Sequence, residues 1–275
     1  MKFALIGFAV ATATWIAAPH ARHSRVAVTV QQQGTNWSWH GRISSSGVLD
    51  VRTITGSVST EAASGAEAEV VAIKHAGHHG DPADVHVLAE ERDGGVRICV
   101  IYPGSRDSDG CDNGDHHRGH WDDEDRNDTR VDFEVKLPAG AAFHGASVNG
   151  DVEVRGATGP VEARAVNGSV ELETTAGEAE GESVNGSVRA VVRGQGHESL
   201  RFTSVNGLVD VTVPANLDAD LEASTVNGSI NSDFPITISG GTMMRRQRLE
   251  GVIGHGGRRL TMTSVNGAIR LRKIS

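Results

Sequence analysis

Six copies of the tripeptide Val-Asn-Gly occur in the second half of this 275-residue chain. Their asparagines are separated by 18, 18, 21, 21 and 39 residues, and the last interval is about two periods. A fixed period of about 20 residues is typical of repeat architectures, in which neighbouring units bury each other's apolar faces. A residue that recurs in every unit is more often part of a scaffold than of a catalytic centre, so the repeat disfavours an enzyme.

Each copy lies in a longer frame that predicts a β-strand. A β-branched residue stands two positions after each glycine, and Ser or Thr precedes the valine in five of the six copies. Alternation with a period of two marks a strand with one buried face. Because Asn and Gly tolerate turn conformations, we expect the valine in the core and structural corner turns at the next two residues. The corner residues are Asn149, Gly150, Asn167, Gly168, Asn185, Gly186, Asn206, Gly207, Asn227, Gly228, Asn266 and Gly267.

Two all-β folds accommodate this frame. Asn-Gly between strands is a strong hairpin signal, which would give an antiparallel β-sandwich or meander. Alternatively, each repeat of about 18–21 residues is one coil of a single β-solenoid, a β-helix-like stack with its corners in register. The solenoid explains the identical corners and the small core residues, since aromatic residues make up only 4% of the chain. We therefore predict the solenoid, with Asn149, Asn167, Asn185, Asn206 and Asn227 in one line about 4.8 Å apart.

The chain divides into three predicted regions. Residues 1–21 predict a signal peptide, with Lys2 before an apolar run and no clear cleavage site; an uncleaved anchor is the alternative. Residues 22–45 predict a polar leading segment and N-terminal cap, in which Trp37 and Trp39 close one end of the stack. Residues 46–275 predict one β-repeat domain with an inserted Cys/Asp/His-rich loop at 103–130.

Three features within the repeat domain depart from the regular frame. Thr55 stands where an asparagine is expected, so the repeats begin near residue 40. Residues 66–75 and 85–102 predict one strand each. The long interval between Asn227 and Asn266 predicts an irregular coil or a protruding hairpin.

Charge and cysteine content narrow the possible functions. The formal net charge of −9 argues against a general nucleic-acid partner. The C-terminal segment is locally basic, which indicates either contact with an acidic partner or solvated strand faces. A secreted chain with two cysteines usually joins them, so Cys99 and Cys111 predict a disulfide at the base of the inserted loop, with free thiols or a metal pair as the alternative.

Acidic and histidine residues concentrate in the inserted loop, at residues 107–128. Such side chains suit Ca²⁺, Zn²⁺ or Ni²⁺, but their spacing fits no EF-type loop and the HExxH motif is absent. We therefore predict a solvated loop with no metal site and no cofactor, and leave weak metal binding as the alternative. The residues in question are Asp107, Asp109, Asp112, Asp115, His116, His117 and His120.

Two further motifs point to no chemistry. The glycine-rich segment 251–257 could suggest a phosphate cradle, but a strand-like sequence follows it instead of a helix, so we predict a turn. The acids of the repeats fall mostly at outward strand positions, where no pair stands out as a general acid and base. These acids are Asp151, Glu153, Glu162, Glu171, Glu173 and Glu182.

The chain resembles a bacterial family of putative adhesins, the DUF4097 domain-containing proteins. The resemblance rests on the recurrent Val-Asn-Gly-Ser-Val frame, the strand 97–103, the turn 137–140 and the passage from 251–257 into 263–269. It covers roughly residues 45–273. The resemblance implies an extracytoplasmic β-solenoid-like domain with no established catalytic residues.

These observations together predict an exported, non-enzymatic β-repeat protein of the cell envelope. Its extended surface would bind an envelope protein or a glycan, with no nucleic acid partner and with membrane contact only through an uncleaved signal segment. Two alternatives remain: an enzyme that acts on polysaccharides from a β-helix scaffold, and an envelope metal or stress sensor that uses loop 107–128.

Overall fold

The computed structural model of the chain describes residues 29–33, 36–103, 111, 127–238 and 247–274. Within these ranges the chain forms twenty-two strands and one 3-10 turn at Pro82–Asp84. No helix of the described ranges has the length and apolar character needed to cross a membrane. The strands are β1 (Thr29–Gln33), β2 (Asn36–Gly41), β3 (Val48–Thr55), β4 (Val58–Ala62), β5 (Ala68–His75), β6 (His86–Arg92), β7 (Gly95–Ile101), β8 (Arg130–Leu137), β9 (Ala142–Asn149), β10 (Val152–Ala157), β11 (Val161–Asn167), β12 (Val170–Thr174), β13 (Ala179–Ser183), β14 (Val188–Val192), β15 (Leu200–Ser204), β16 (Val209–Val213), β17 (Ala219–Asn227), β18 (Ile230–Ser232), β19 (Thr237–Ile238), β20 (Gln247–Ile253), β21 (Arg258–Asn266) and β22 (Ile269–Lys273).

The strands form two sheets of eleven strands each, with the core between them. The first sheet has the order β1-β2-β5-β8-β4-β10-β12-β14-β16-β22-β18. The second sheet has the order β19-β20-β17-β21-β15-β13-β11-β9-β3-β7-β6. Each repeat contributes one strand to each sheet, and the Asn-Gly corner joins the two. Successive coils pair in parallel and in register, which confirms the predicted solenoid over the antiparallel alternative.

The core consists of the inward positions that the alternation predicts. Val152, Val170, Val188, Val209 and Ile269 stack from coil to coil and are fully buried. Small side chains suffice because the two sheets of a coil lie close together. Burial of each such side chain contributes about 1.5–3 kcal/mol, which favours the stacked arrangement over isolated coils.

The corner glycines are required by the close stacking of the coils. A Cβ atom on Gly186 would lie 2.0 Å from the carbonyl oxygen of Gly168, and one on Gly267 would lie 1.9 Å from that of Gly207. The repeat needs glycine here mainly because the next coil leaves no room. The left-handed backbone expected from a tight turn is absent at Gly168, Gly186, Gly207, Gly228 and Gly267.

The hydroxyl before each valine bonds the neighbouring coil. Ser147, Ser183, Ser204, Thr225 and Ser264 are buried, and each donates to a corner-glycine carbonyl at 2.7–3.1 Å. These bonds satisfy a carbonyl that stacking would otherwise bury without a partner. The exception is the coil with Ala165, which has no hydroxyl at this position.

The last repeat lies out of order in the stack. Strand β21 pairs in parallel with β15 on one side and with β17 on the other, and β22 lies between β16 and β18. The final coil therefore fills a slot between the two coils that precede it in sequence. The expected line of asparagines exists, but Asn266 stands between Asn206 and Asn227.

The interval between Asn227 and Asn266 explains how the chain returns to this slot. Strand β17 lies between β20 and β21, and β20 pairs with it antiparallel. The chain must therefore cross the end of β17 to pass from β20 to β21. Gly254, Gly256 and Gly257 make the crossing with positive φ angles. Asp218 accepts from the backbone N–H of His255 at 2.7 Å and thereby fixes the turn.

Antiparallel strands close both ends of the stack. At the N-terminal end, β2, with Trp37 and Trp39 buried, pairs antiparallel with β5 in the first sheet, and β6 pairs antiparallel with β7 in the second. At the other end, β20 pairs antiparallel with β17. The predicted single strand over residues 85–102 is wrong, because Asp93 and Gly94 make a two-residue turn with φ angles of 48° and 78°. Asp-Gly is a known hairpin signal that accounts for this turn. Thr55 pairs with Asn149, which places the degenerate repeat in the stack.

Candidate functional site

A stripe of valines crosses the outer face of the second sheet. These are the valines of the repeated tripeptide, and their predicted position in the core is wrong. Val166, Val226 and Val265 are 37–42% exposed, and Val148, Val184 and Val205 are partly exposed. The reason is strand parity, since the buried residue before each valine takes the inward position; it is Ser or Thr in five copies and Ala165 in the sixth. We call these six residues the valine stripe.

A ladder of asparagines runs beside the valine stripe. Five of the six asparagines donate from Nδ2 to the Oδ1 of the asparagine in the neighbouring coil at 2.8–2.9 Å, and Asn149 at the end of the ladder only accepts. The amides satisfy one another along the stack, so their remaining hydrogen-bonding groups face solvent. The ladder holds the corners in register and gives the valine stripe a polar rim.

A groove opens at the N-terminal end of this face. Its volume is about 340 Å³, and Ala146, Val148 and Val166 lie along it among charged side chains. The disulfide between Cys99 and Cys111 forms one wall. The backbone N–H of Cys111 donates to Glu90 at 3.1 Å, which ties this point of the inserted segment to strand β6.

Two arginines hold a carboxylate at one end of the groove. Asp50 accepts from Arg52 at 2.9 and 3.1 Å and from Arg97 at 2.8 Å. The Asp50 side chain is 9% exposed, and the two guanidinium groups supply the compensation that a buried carboxylate requires. Among the described side chains, this end of the groove carries two arginines and one carboxylate.

Three glutamates surround one arginine at the other end. Arg164 lies 2.9 Å from Glu162 on its own strand β11, and 3.5 Å from Glu182 and 3.6 Å from Glu180 on the neighbouring strand β13. His144 lies 3.5 Å from Glu162 on the neighbouring strand. These acids looked scattered along the sequence, but the coil stacking brings them together. The groove is therefore dipolar, with an acidic end and a basic end.

The predicted metal ligands lie outside the described residues. They fall within residues 104–110 and 112–126, and they are Asp107, Asp109, Asp112, Asp115, His116, His117 and His120. Within the described part of the chain, no group of three or more His, Cys, Asp and Glu side chains could hold a metal ion. The predicted signal peptide also lies outside the described residues, as do Arg245 and Arg246 of the basic segment.

Sequence reasoning missed most of the groove. Asp50, Arg52 and Arg97 come from two separate segments and have no motif in common. The alternation of the strands was an available signal: the frame places Ser or Thr on the inward side of the strand and therefore places the next residue on the outward side. That parity would have predicted the valine stripe.

Residues 129–272, more than half of the chain, match the family model described as Toastrack DUF4097. The chain belongs to this family. The match confirms the resemblance drawn from the repeat frame.

Two solved structures are similar to this chain. One is a putative cell adhesion protein from Clostridium sporogenes ATCC 15579, with 11% identity and a TM-score of 0.47, and the alignment covers 86% of this chain and 99% of that one. The other is a putative adhesin from Bacteroides fragilis NCTC 9343, with 12% identity and a TM-score of 0.25, covering 88% and 98%. No curated protein matches the chain.

Proposed function

We propose that this chain is an exported, non-enzymatic, adhesin-like protein of the cell envelope that binds a protein partner through the outer face of the second sheet. The observation that carries the proposal is the valine stripe. Thr or Lys would suit a solvent-facing strand position equally well, yet all six repeats have Val there. Contiguous exposed apolar residues with a polar rim are typical of interaction surfaces.

The partner is a protein rather than a neutral glycan. Recognition of sugar rings commonly uses exposed aromatic faces, and the aromatic side chains of the described residues are all buried. They are Trp37, Trp39, Tyr102, Phe133, Phe143, Phe202 and Phe234. An apolar stripe next to a dipolar groove instead matches the mixture of apolar and charged groups on a protein surface.

Export is supported by the disulfide and by the sequence of residues 1–21. Disulfides persist in oxidising compartments and are rare in the cytosol. Both half-cystines are nearly buried, with 6% exposure for Cys99 and 5% for Cys111.

Binding to an envelope extract tests the proposal. Immobilised protein should bind a component of the extract saturably, and Val166→Asp and Val265→Asp should each reduce that binding at least about tenfold, since a charge must be desolvated in the interface. Val191→Asp is the matched control, because Val191 lies at an outward position of the first sheet. Equal binding by all three variants would contradict the proposal. Saturable binding only to a glycan array would replace the protein partner with a glycan.

One observation favours a second function. The glutamates around Arg164 form a compact acidic cluster on one face, which an enzyme acting on polysaccharides from a β-helix scaffold would need. Incubation with acidic and neutral polysaccharides, followed by a reducing-end and an absorbance assay, tests this function. Turnover that is lost in Glu162→Gln and Glu182→Gln would establish an enzyme, and the adhesin-like proposal expects none.

A metal-sensing role for loop 107–128 is tested separately. Calorimetry with Ca²⁺, Zn²⁺ and Ni²⁺ should show no binding tighter than roughly millimolar if the loop is a solvated segment. Tighter binding, lost on replacement of His116, His117 and His120, would make the loop a metal site.

A further inference from the structure

The outer face of the first sheet carries opposite charges at its two ends. The outward side chains of β5, β8, β4, β10 and β12 include seven carboxylates and three cations, a net charge of −4 with His75 neutral. The carboxylates are Glu61, Glu69, Asp132, Glu134, Glu153, Glu171 and Glu173, and the cations are Arg130, Lys136 and Arg155.

The other half of the same face is basic. The outward charged side chains of β14, β16 and β22, with the residue that directly follows β14, are four arginines and one aspartate, a net charge of +3. They are Arg189, Arg193, Arg270, Arg272 and Asp210. Ion pairs mark the boundary between the halves, where Arg189 lies 3.2 Å from Glu171 and Arg193 lies 2.9 Å from Glu173.

Three exposed charges on this face form no close ion pair among the described residues. Glu61 and Glu134 on the acidic half attract Lys136 only at longer range, because Lys136 pairs with Glu69 at 3.0 Å, and Arg270 on the basic half lies outside the ion pair of Arg272 with Asp210. Strand β4 and strand β22 lie equally far from the boundary between β12 and β14. Consider two copies whose first sheets face each other, related by a two-fold axis that lies between them. If this axis runs parallel to the strands and passes over the boundary between β12 and β14, the acidic half of one copy lies against the basic half of the other.

We propose that the outer face of the first sheet binds a second copy of this chain, related by such a two-fold axis. The face is complementary to itself, because two-fold symmetry makes every acidic–basic contact occur twice. Strand β4 of one copy then lies over β22 of the other, which brings Glu61 opposite Arg272 and brings Glu134, on the neighbouring strand β8, to the level of Arg270. This face is separate from the valine stripe, so the association is independent of the proposed adhesive surface.

The size and chemistry of the face predict a weak, salt-sensitive dimer. Eight strands about 4.8 Å apart and about five residues long cover roughly 650 Å² of surface. This is below the roughly 800 Å² per partner of a standard stable interface. Exposed charge pairs weaken as the Debye length shortens, so association should be strong at low ionic strength and lost at high ionic strength.

Sedimentation equilibrium of the full exported chain tests the proposal. The wild-type protein should dimerise at roughly 20 mM salt and be monomeric at roughly 500 mM. Arg270→Glu and Glu134→Arg should each weaken the dimer at least about tenfold, because each places like charges together twice. Neither change removes an ion pair of the described chain.

A mixture of the two variants gives the decisive result. Arg270→Glu and Glu134→Arg should associate with each other, because the mixture restores opposite charges at both symmetric contacts. Arg259→Glu is the matched control, since it makes the same change in net charge in the same coil on the opposite sheet, and it should dimerise like the wild type. A monomer at every salt concentration, failure of the mixture to associate, or a loss of dimer in Arg259→Glu would overturn the proposal.

Discussion

The corner glycine limits how closely two coils can stack. At Gly186 a methyl group would sit against the carbonyl oxygen of Gly168, and that oxygen belongs to backbone that cannot swing aside. The stacking distance is fixed by the strand hydrogen bonds on both sides of the corner. Glycine is therefore required by the neighbouring coil as well as by the turn.

Gly186→Ala should lower the free energy of unfolding by about 2–4 kcal/mol, because the added methyl forces the two coils apart and strains their ladder bonds. Urea unfolding measures the change. Gly65→Ala is the control, since nothing lies within 4 Å of a Cβ at that position. Equal stabilities of the two variants would contradict the steric explanation.

The asparagine ladder makes a graded prediction. Asn185 donates to Asn167 and accepts from Asn206, whereas Asn149 at the end of the ladder only accepts from Asn167. At about 0.5–1.5 kcal/mol for each bond, Asn185→Ala should cost about twice as much stability as Asn149→Ala. Thermal unfolding of both variants gives the ratio, and a larger loss at Asn149 would show that the ladder bonds do not set the stability.

Tyr102 allows a prediction about pH. Burial raises the pKa of Tyr102 to about 12 from 10.0, and its hydroxyl donates to the carbonyl of Thr129 at 2.8 Å. Because the folded-state pKa is above the unfolded value, the neutral form contributes about 3 kcal/mol of stability that is present below pH 10 and lost as pH rises to about 12. Tyr102 is the one tyrosine of the chain, so ultraviolet absorbance titration reports it alone. An apparent pKa near 10 in the folded protein would contradict the burial.

At the scale of the element, the final coil is the least regular part of the stack. Arg258 begins this coil and is almost fully buried, and its guanidinium group donates to the carbonyls of Glu198, Gly194 and Gly177. These carbonyls come from the segments that follow β12 and β14. One side chain therefore bonds the inserted coil to two earlier ones.

Arg258→Met should lower the free energy of unfolding by about 2–4 kcal/mol, because three carbonyls lose their donor in a buried site. Hydrogen exchange should show the loss first in β21 and β22. The neighbouring exposed Arg259→Met provides the control and should change the stability by less than about 0.5 kcal/mol. Uniform loss of protection across all coils would instead mean that the final coil unfolds with the rest.

The sequence predicted the regular elements well and the irregular ones poorly. Strand positions, corners and the asparagine line follow from local periodicity, which every coil repeats. The order of the coils does not follow from local periodicity. Asn266 lies between Asn206 and Asn227 only because the chain crosses the end of β17, and no local sequence pattern encodes that crossing. The Asp-Gly turn at Asp93 could have predicted the hairpin, and the alternation of the strand could have predicted the exposure of each valine from the inward position of the residue before it.

At the scale of the whole molecule, the two outer faces differ in character. The second sheet presents an apolar stripe and a groove of mixed charge, and the first sheet presents an acidic half and a basic half. The charge pattern of neither face could be predicted from single residues, because it depends on which strands stack side by side. Glu162 and Glu180, two of the glutamates around Arg164, are 18 positions apart along the chain, yet they lie side by side on adjacent strands.

Reduction of the disulfide gives a prediction for the groove. Cys99→Ser with Cys111→Ser removes the wall at the N-terminal end, while the coils that carry the valine stripe remain paired. Partner binding should weaken without a loss of strand content, and circular dichroism with the binding assay separates the two effects. Unchanged affinity would show that the groove is not part of the adhesive surface.

The central claim is that the repeat presents its valines to a protein partner, and site-specific photocrosslinking in intact cells tests it most directly. A photoreactive phenylalanine at position 166 or 226 should form an adduct with a protein other than this chain. The same group at position 191, on the opposite sheet, should form only adducts with the mass of two copies of this chain. Heterologous adducts from position 191 and none from positions 166 and 226 would contradict the account.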